Sequence, residues 1–360
     1  MKNKPIPLLL CVLSFLFFSF ESRAQNVYEK PKLSDQGSWS LVLFPDPQSY
    51  VKFDRNVGVL NLMTSWVREN IEELNTEFVL CTGDLVEQNE LINPDGKAAN
   101  QNSKQQWQSV SNAFHKLNGY VPYVLATGNH DYGHVSAEYR STQYDQYFST
   151  EQNGLNARAL REVGPALNGH SSGVNAVYEF KTPHPKNILV MVLEFAPRDT
   201  VLQWAKGIVD LPKYENHDVI LLTHVYLDRA SKHIASQGYK IKDANYGQAV
   251  YEKLVKPSKN IRLVFSGHIG EVDDFNGHIG FRRDKNAANK TVTQMTFNAQ
   301  AMGGGWHGNG GDGWLRFLEF LPDGKTVKVK TFSPLFAISP STQHLAYKKE
   351  ENQDFEFSLD

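Results

Sequence analysis

The chain has 360 residues, 41% of them hydrophobic and 21% charged, which is enough to bury a sizeable core without covalent staples. Its 37 basic and 39 acidic residues nearly balance, and no block of like charge stands out. A nucleic-acid groove or an anionic membrane surface is therefore excluded as the expected partner.

The N-terminus reads as a secretory leader. Lys2 and Lys4 precede the apolar stretch "IPLLLCVLSFLFFSF", and Ala24 offers a small residue for cleavage. A membrane anchor fits less well, because the run is short of the roughly 20 residues of a comfortable span. Removing residues 1–24 takes away three basic residues and one acidic residue, so the mature chain is more acidic and has no stable membrane anchor. Cys81 is then the only cysteine, and no intramolecular disulfide can form. The expected location is periplasmic or secreted. Residues 25–360 contain no Pro/Ser-rich linker and no internal repeat, so they are expected to form one domain.

From Trp39 onward, short runs rich in Val, Ile, Leu and Phe recur: "WSLVLF", "EFVLCT", "VPYVLAT", "NILVMVLEF", "DVILLTH", "IRLVFSGH", "QMTFNAQ", "WLRFLEFL" and "TVKVKTFSP". Uninterrupted apolar runs suit strands covered on both faces. Segments with helical spacing lie between them: "VGVLNLMTSWVRENIEEL", "QQWQSVSNAFHKL", "DTVLQWAKGIV" and "GQAVYEKLV". Helices alternate with strands early, and strands alone are expected after residue 290, so the pattern predicts an α/β sandwich closed by an antiparallel edge. A polar excursion at 132–175 and a glycine-rich segment at 303–313 are long connections of the kind that are functional or mobile.

Several runs end alike. The first reaches Asp46, with Gln48 two residues on; the second reaches Asp84; the third ends in Asn129, His130 and Asp131; two later ones end at His224 and His268. Ligands of open α/β sheets bind beyond the strand ends, so these side chains are expected to converge. Carboxylate, amide oxygen and imidazole together suit a divalent ion such as Mn, Fe or Zn. Taken singly, each motif is a turn or a hydrogen-bonded core histidine; taken in order, they point to a metal centre.

This ordered set resembles the calcineurin-like metallophosphoesterase superfamily, whose pattern is D-x-H, G-D-x-x, G-N-H-[D/E], a strand-terminal His and G-H-x-H. The resemblance spans roughly residues 39–335. It implies a two-sheet β-sandwich flanked by helices, two metal ions bridged by one Asp and a hydroxide, and hydrolysis of phosphate esters by attack of that hydroxide. Carried over, Asp84 bridges the ions, Asn129, His224 and His268 complete one site, and Asp46 belongs to the other. His130 serves as acid or oxyanion stabiliser, oriented by Glu87 or Asp131. The chain departs from the pattern at Gln48 and Gly270, where histidines are expected, and both changes fall on one site. The resemblance thus implies one tight site and a second, modified one, served by Gln48 and open to Glu271 by a one-residue slip of the loop.

The implied substrate is a small-molecule or glycan-linked phosphate mono- or diester. The competing reading is a degenerate metal-containing protein that recognises a phosphate or glycan without turnover. A nuclease is disfavoured, because the chain lacks a basic stripe. Tyr50, Tyr132, His134, His170, Arg198, Asp228 and His307 are weaker candidates for substrate contact.

Overall fold

The computed structural model describes residues 28–165, 172–183 and 185–359. The expected leader at 1–24 and His170 lie outside the described residues. Strands β1 (Trp39–Phe44), β2 (Thr76–Cys81) and β3 (Tyr123–Leu125) run parallel and open the first sheet. The chain then builds the second sheet from β4 (Leu160–Val163), β5 (Ala176–Phe180), β6 (Ile188–Val192), β7 (Asp218–Leu222), β8 (Ile261–Ser266), β9 (Ile279–Lys285) and β10 (Thr291–Phe297). Finally β11 (Leu315–Phe320), β12 (Thr326–Phe332), β13 (Tyr347–Lys348) and β14 (Asp354–Ser358) return to the first sheet. The result is two mixed seven-stranded sheets, ordered β13-β12-β11-β1-β2-β3, with β14 also on β12, and β4-β5-β6-β7-β8-β10-β9.

Both faces of each central strand are apolar, which explains the unbroken runs. Leu41 and Leu43 of β1 point between the sheets, where they share a core with Phe78, Val190, Val192, Leu222, Phe265 and Phe297. Val42 and Phe44 point outward, onto Met63 and Trp66 of helix Val57–Glu69 and Trp107 and Phe114 of helix Ser103–His115. The outer face of the second sheet is covered by Val201, Leu202 and Ala205 of helix Asp199–Val209. This is the two-sheet sandwich flanked by helices that the pattern predicts, with an antiparallel edge from β11 to β12.

Strand β9 is one that the apolar runs did not mark. In β9, exposed or half-exposed polar residues interrupt the apolar ones, as befits an edge with one wet face. In its described residues, the excursion at 132–175 holds more regular structure than its polarity suggests. It contains helical turns Tyr144–Tyr147 and Gly154–Ala159 and strand β4. After residue 290 one short helix, Pro334–Ala337, joins the strands.

Candidate metal centre

Each parallel strand stops where its sequence changes from apolar to turn-forming, and a polar side chain follows. Pro45 and Pro47 flank Asp46 and prevent β1 from continuing as a paired strand. After β2, Gly83 (φ 111°) and Asp84 (φ 48°) both take left-handed backbone. After β3, Gly128 leads into the tight turn Asn129–Asp131. A Cβ on Gly128 would stand 2.5 Å from the Asp84 backbone nitrogen, so only glycine lets these two loops meet. After β8, His268 adopts φ 79°, a conformation that is costly for a branched side chain and persists only when neighbours hold it.

Four donors meet at one point. His224 Nε2 lies 3.2 Å from Asp84 Oδ2 and 3.3 Å from Asn129 Oδ1, and His268 Nδ1 lies 3.0 Å from the same Asn129 oxygen. Ligands held ~2.0–2.2 Å from one ion are separated from one another by about 3–3.5 Å. The spacing of Asp84, Asn129, His224 and His268 therefore matches the edges of a coordination polyhedron. Potential ligand atoms of Asp84, His224 and His268 all fall within 4.8 Å of one another. The second nitrogen of His224, Nδ1, is 2.9 Å from the Thr82 carbonyl, which sets the ring so that Nε2 faces the cage.

Burial opposes the charge of Asp84, but His224 and His130 hold its carboxyl below the usual range. His224 resists burial through Asp84 and Asp46 and rises to about 9, while burial and the nearby His224 push His268 down to about 3. A bound divalent ion would replace the proton that His224 otherwise keeps.

Around the cage the remaining candidates take distinct positions. Asp46 is fully buried; its Oδ1 accepts from Thr82 Oγ1 at 2.6 Å, and its Oδ2 accepts from His268 N and from Asn298 Nδ2, each at 2.7 Å. Gln48 donates from Nε2 to Asp84 Oδ2 at 3.0 Å, while its Oε1 is buried with no partner among the described residues. His130 donates its backbone N–H to Asp84 Oδ1 at 3.0 Å. Its Nδ1 meets the backbone carbonyl of Glu87 at 2.7 Å, which leaves Nε2 as the unengaged nitrogen. Burial disfavours the His130 cation, but Asp84 and Glu87 raise its pKa above the ordinary value.

Glu87 thus orients His130 through its main chain, while its carboxylate pairs with buried Lys52 at 3.3 Å. The Asp131 carboxylate accepts from the backbone N–H groups of Leu85, Val86 and Gly128, tying the second and third loops together. Burial and Asp84 raise its pKa to about 7.

Asn298 is the site residue that the sequence reading missed. It follows β10 as Asp84 follows β2, and the same strand-end rule would have found it. Of the weaker candidates, Tyr50 is buried and accepts from Gly313 N at 3.0 Å, Tyr132 bonds Thr127, and Arg198 pairs with Glu194. Asp228 caps its own turn, His134 and His307 are exposed, and Glu271 pairs with Arg229 at the surface. An open cleft of about 750 Å³ reaches the centre at His268 and is lined by Arg229, Lys232, Ser236, Gln237 and Trp306.

Comparison with known proteins places this geometry. A family model described as calcineurin-like phosphoesterase matches residues 41–271. Uncharacterized protein YvnB of Bacillus subtilis (strain 168) is 23% identical over 337 residues, or 92% of this chain; the chain spans only 22% of that relative's length. Among solved structures, a dimetal phosphatase from Danio rerio aligns with a TM-score of 0.48 at 11% identity, covering 89% of this chain and 99% of that one. PhoD aligns with a TM-score of 0.42 at 9% identity, covering 90% and 74%. The family match runs through the five strand ends that carry Asp46, Asp84, Asn129, His224 and His268, from β1 to the loop after β8, and so the chain belongs to the calcineurin-like phosphoesterase family.

Proposed function

We propose that this protein is an exported, metal-dependent hydrolase of phosphate mono- or diesters, acting on a small-molecule or glycan-linked phosphate. The observation that carries the reading is the preformed four-donor cage of Asp84, Asn129, His224 and His268, with His130 beside it. The mixed oxygen and nitrogen donors suit Mn, Fe or Zn. Of the two ion subsites in the family pattern, this one is complete and binds tightly; the other is reduced to Asp46 and Gln48.

A divalent ion bound in the cage neutralises charge on the phosphoryl oxygens and lowers the pKa of water at the site. The protein supplies the remaining parts. His130, held through Nδ1 on the Glu87 carbonyl, presents Nε2 to protonate the leaving oxygen or stabilise a phosphoryl oxygen. The order of basic, apolar and small residues over 1–24 supports export to the periplasm or beyond.

The reading is tested by assaying the mature chain on an aryl phosphate and on a bis-aryl phosphate, with Mn, Zn or Fe added and then chelated. Hydrolysis that disappears with the chelator and returns with the ion supports it. Bound metal with no hydrolysis of either ester would leave the binding-only alternative standing.

A further inference from the structure

We infer that the centre holds one ion per chain, in the Asp84/Asn129/His224/His268 cage, and that the Gln48 amide takes the place of the family's second ion. The inference rests on the phosphoesterase reading above and goes further in assigning the reduced subsite.

In a two-ion centre the shared carboxylate has a cation on each side. Here a single oxygen of Asp84, Oδ2, lies 3.2 Å from His224 Nε2 of the cage and also receives the Gln48 Nε2–H at 3.0 Å, while Oδ1 accepts from His130 N at 3.0 Å. The proton-bearing face of the amide thus supplies the positive end that a second ion would otherwise provide.

Asp46 is engaged behind the cage. Three donors, Thr82 Oγ1, His268 N and Asn298 Nδ2, already occupy its oxygens at 2.6–2.7 Å. Its approach to the cage residues' side chains is to His224 Nδ1, at 3.8 Å, on the side of the ring that faces the Thr82 carbonyl. What Asp46 does from there is plain: by accepting His268 N it holds the left-handed backbone (φ 79°) that points a ligand inward.

No neighbour replaces the missing histidines. A Cβ on Gly270 would lie 2.8 Å from Trp306 Cη2 and 3.1 Å from His278 Nε2, so the indole and the imidazole fill the room a ligand there would need. His278 is itself engaged at both nitrogens, with the Asp274 carbonyl and the Ala301 N–H. Glu271 is at the surface with Arg229.

Beside Asp84, Gln48 Oε1 is one of the buried side-chain atoms that have no partner among the described residues. A glutamine anchored through its nitrogen and open at its oxygen is the kind of group that orients an attacking water. Gln48 is thereby a positioning residue for the nucleophile, and not a metal ligand.

The experiment is a metal count. Protein stripped with chelator is reloaded with excess Mn(II) or Zn(II), dialysed, and its ions per chain are measured by elemental analysis and native mass spectrometry. One ion per chain is expected, unchanged in Gln48→Ala. In that variant kcat on an aryl phosphate is expected to fall about 10–100-fold with little change in KM, as for a misplaced reactant. Two ions per chain in the unmodified protein, one of them lost in Gln48→Ala, would overturn the inference and leave the phosphoesterase reading intact. No ion at all would overturn both. An unchanged kcat in Gln48→Ala would remove the positioning role.

Discussion

At the scale of single residues, two neighbours in the third loop should behave in opposite ways. His130 stands beside the cage, and its ring is not among the four donors. His130→Ala should keep its metal while hydrolysis falls about 10²-fold or more, as for loss of a positioned acid. Gly128 carries no chemistry, yet a methyl there would collide with the Asp84 backbone and carboxylate. Gly128→Ala should therefore lose metal and activity together. Elemental analysis of the two variants side by side decides it. Metal loss in His130→Ala would make that histidine a ligand, and full retention in Gly128→Ala would show that the loops can separate without harm.

At the scale of elements, buried charge ties the excursion at 132–175 to the second sheet. Glu194, just past β6, pairs with Arg198 Nε at 2.8 Å and Arg140 Nη1 at 3.3 Å, and it accepts from Asn175. Arg140 also donates to the carbonyls of Phe195, Ala196 and Asp243. Glu194→Ala would leave two guanidiniums largely buried without their carboxylate, a change that costs about 3–5 kcal/mol. Urea unfolding at neutral pH should show that loss; a change under 1 kcal/mol would mean the backbone carbonyls alone suffice.

A second cluster makes the same sheet sensitive to acid. Glu179 on β5 accepts from Arg161 of β4, from His217 before β7 and from Asn187 before β6. Burial opposes its charge, but the His217 and Arg161 bonds pull its pKa down to about 2 from an ordinary 4.5. A depressed carboxylate contributes stability above its unfolded pKa and loses it as pH falls through the folded value. Glu179→Gln should thus melt below the parent above about pH 4.5, and the gap should close as pH approaches 2. A gap that persists unchanged at low pH would point to packing and not to charge.

At the scale of the whole molecule, the fold and the metal are separable. Three apolar layers, one between the sheets and one under each set of helices, hold the elements together. Chelation should leave the far-UV circular dichroism unchanged and abolish hydrolysis. It should also lower the melting temperature, because an ion at 100 times its Kd adds about 2.7 kcal/mol to the folded state. Collapse of secondary structure on chelation would instead make the ion part of the fold.

The sequence by itself determined the layers and the location of the site. Apolar runs such as "WSLVLF" and "DVILLT" suit strands covered on both faces, and parallel strands send their ends to the same side. Asp84, Asn129, His224 and His268 were legible for that reason. Edge strands such as β9 were not, because their half-wet alternation resembles loop sequence. Tertiary structure alone decided which atom of each residue does the work. Asp46 accepts from the backbone N–H of His268 and lies 3.8 Å from His224 Nδ1; Glu87 meets His130 through its carbonyl; and Trp306 stands where a side chain at 270 would project. These outcomes depend on donors brought together from more than 200 residues apart, as Asn298 is to Asp46. Local spacing says which residues arrive at the strand ends, but only packing says which of their oxygens remains free to hold an ion.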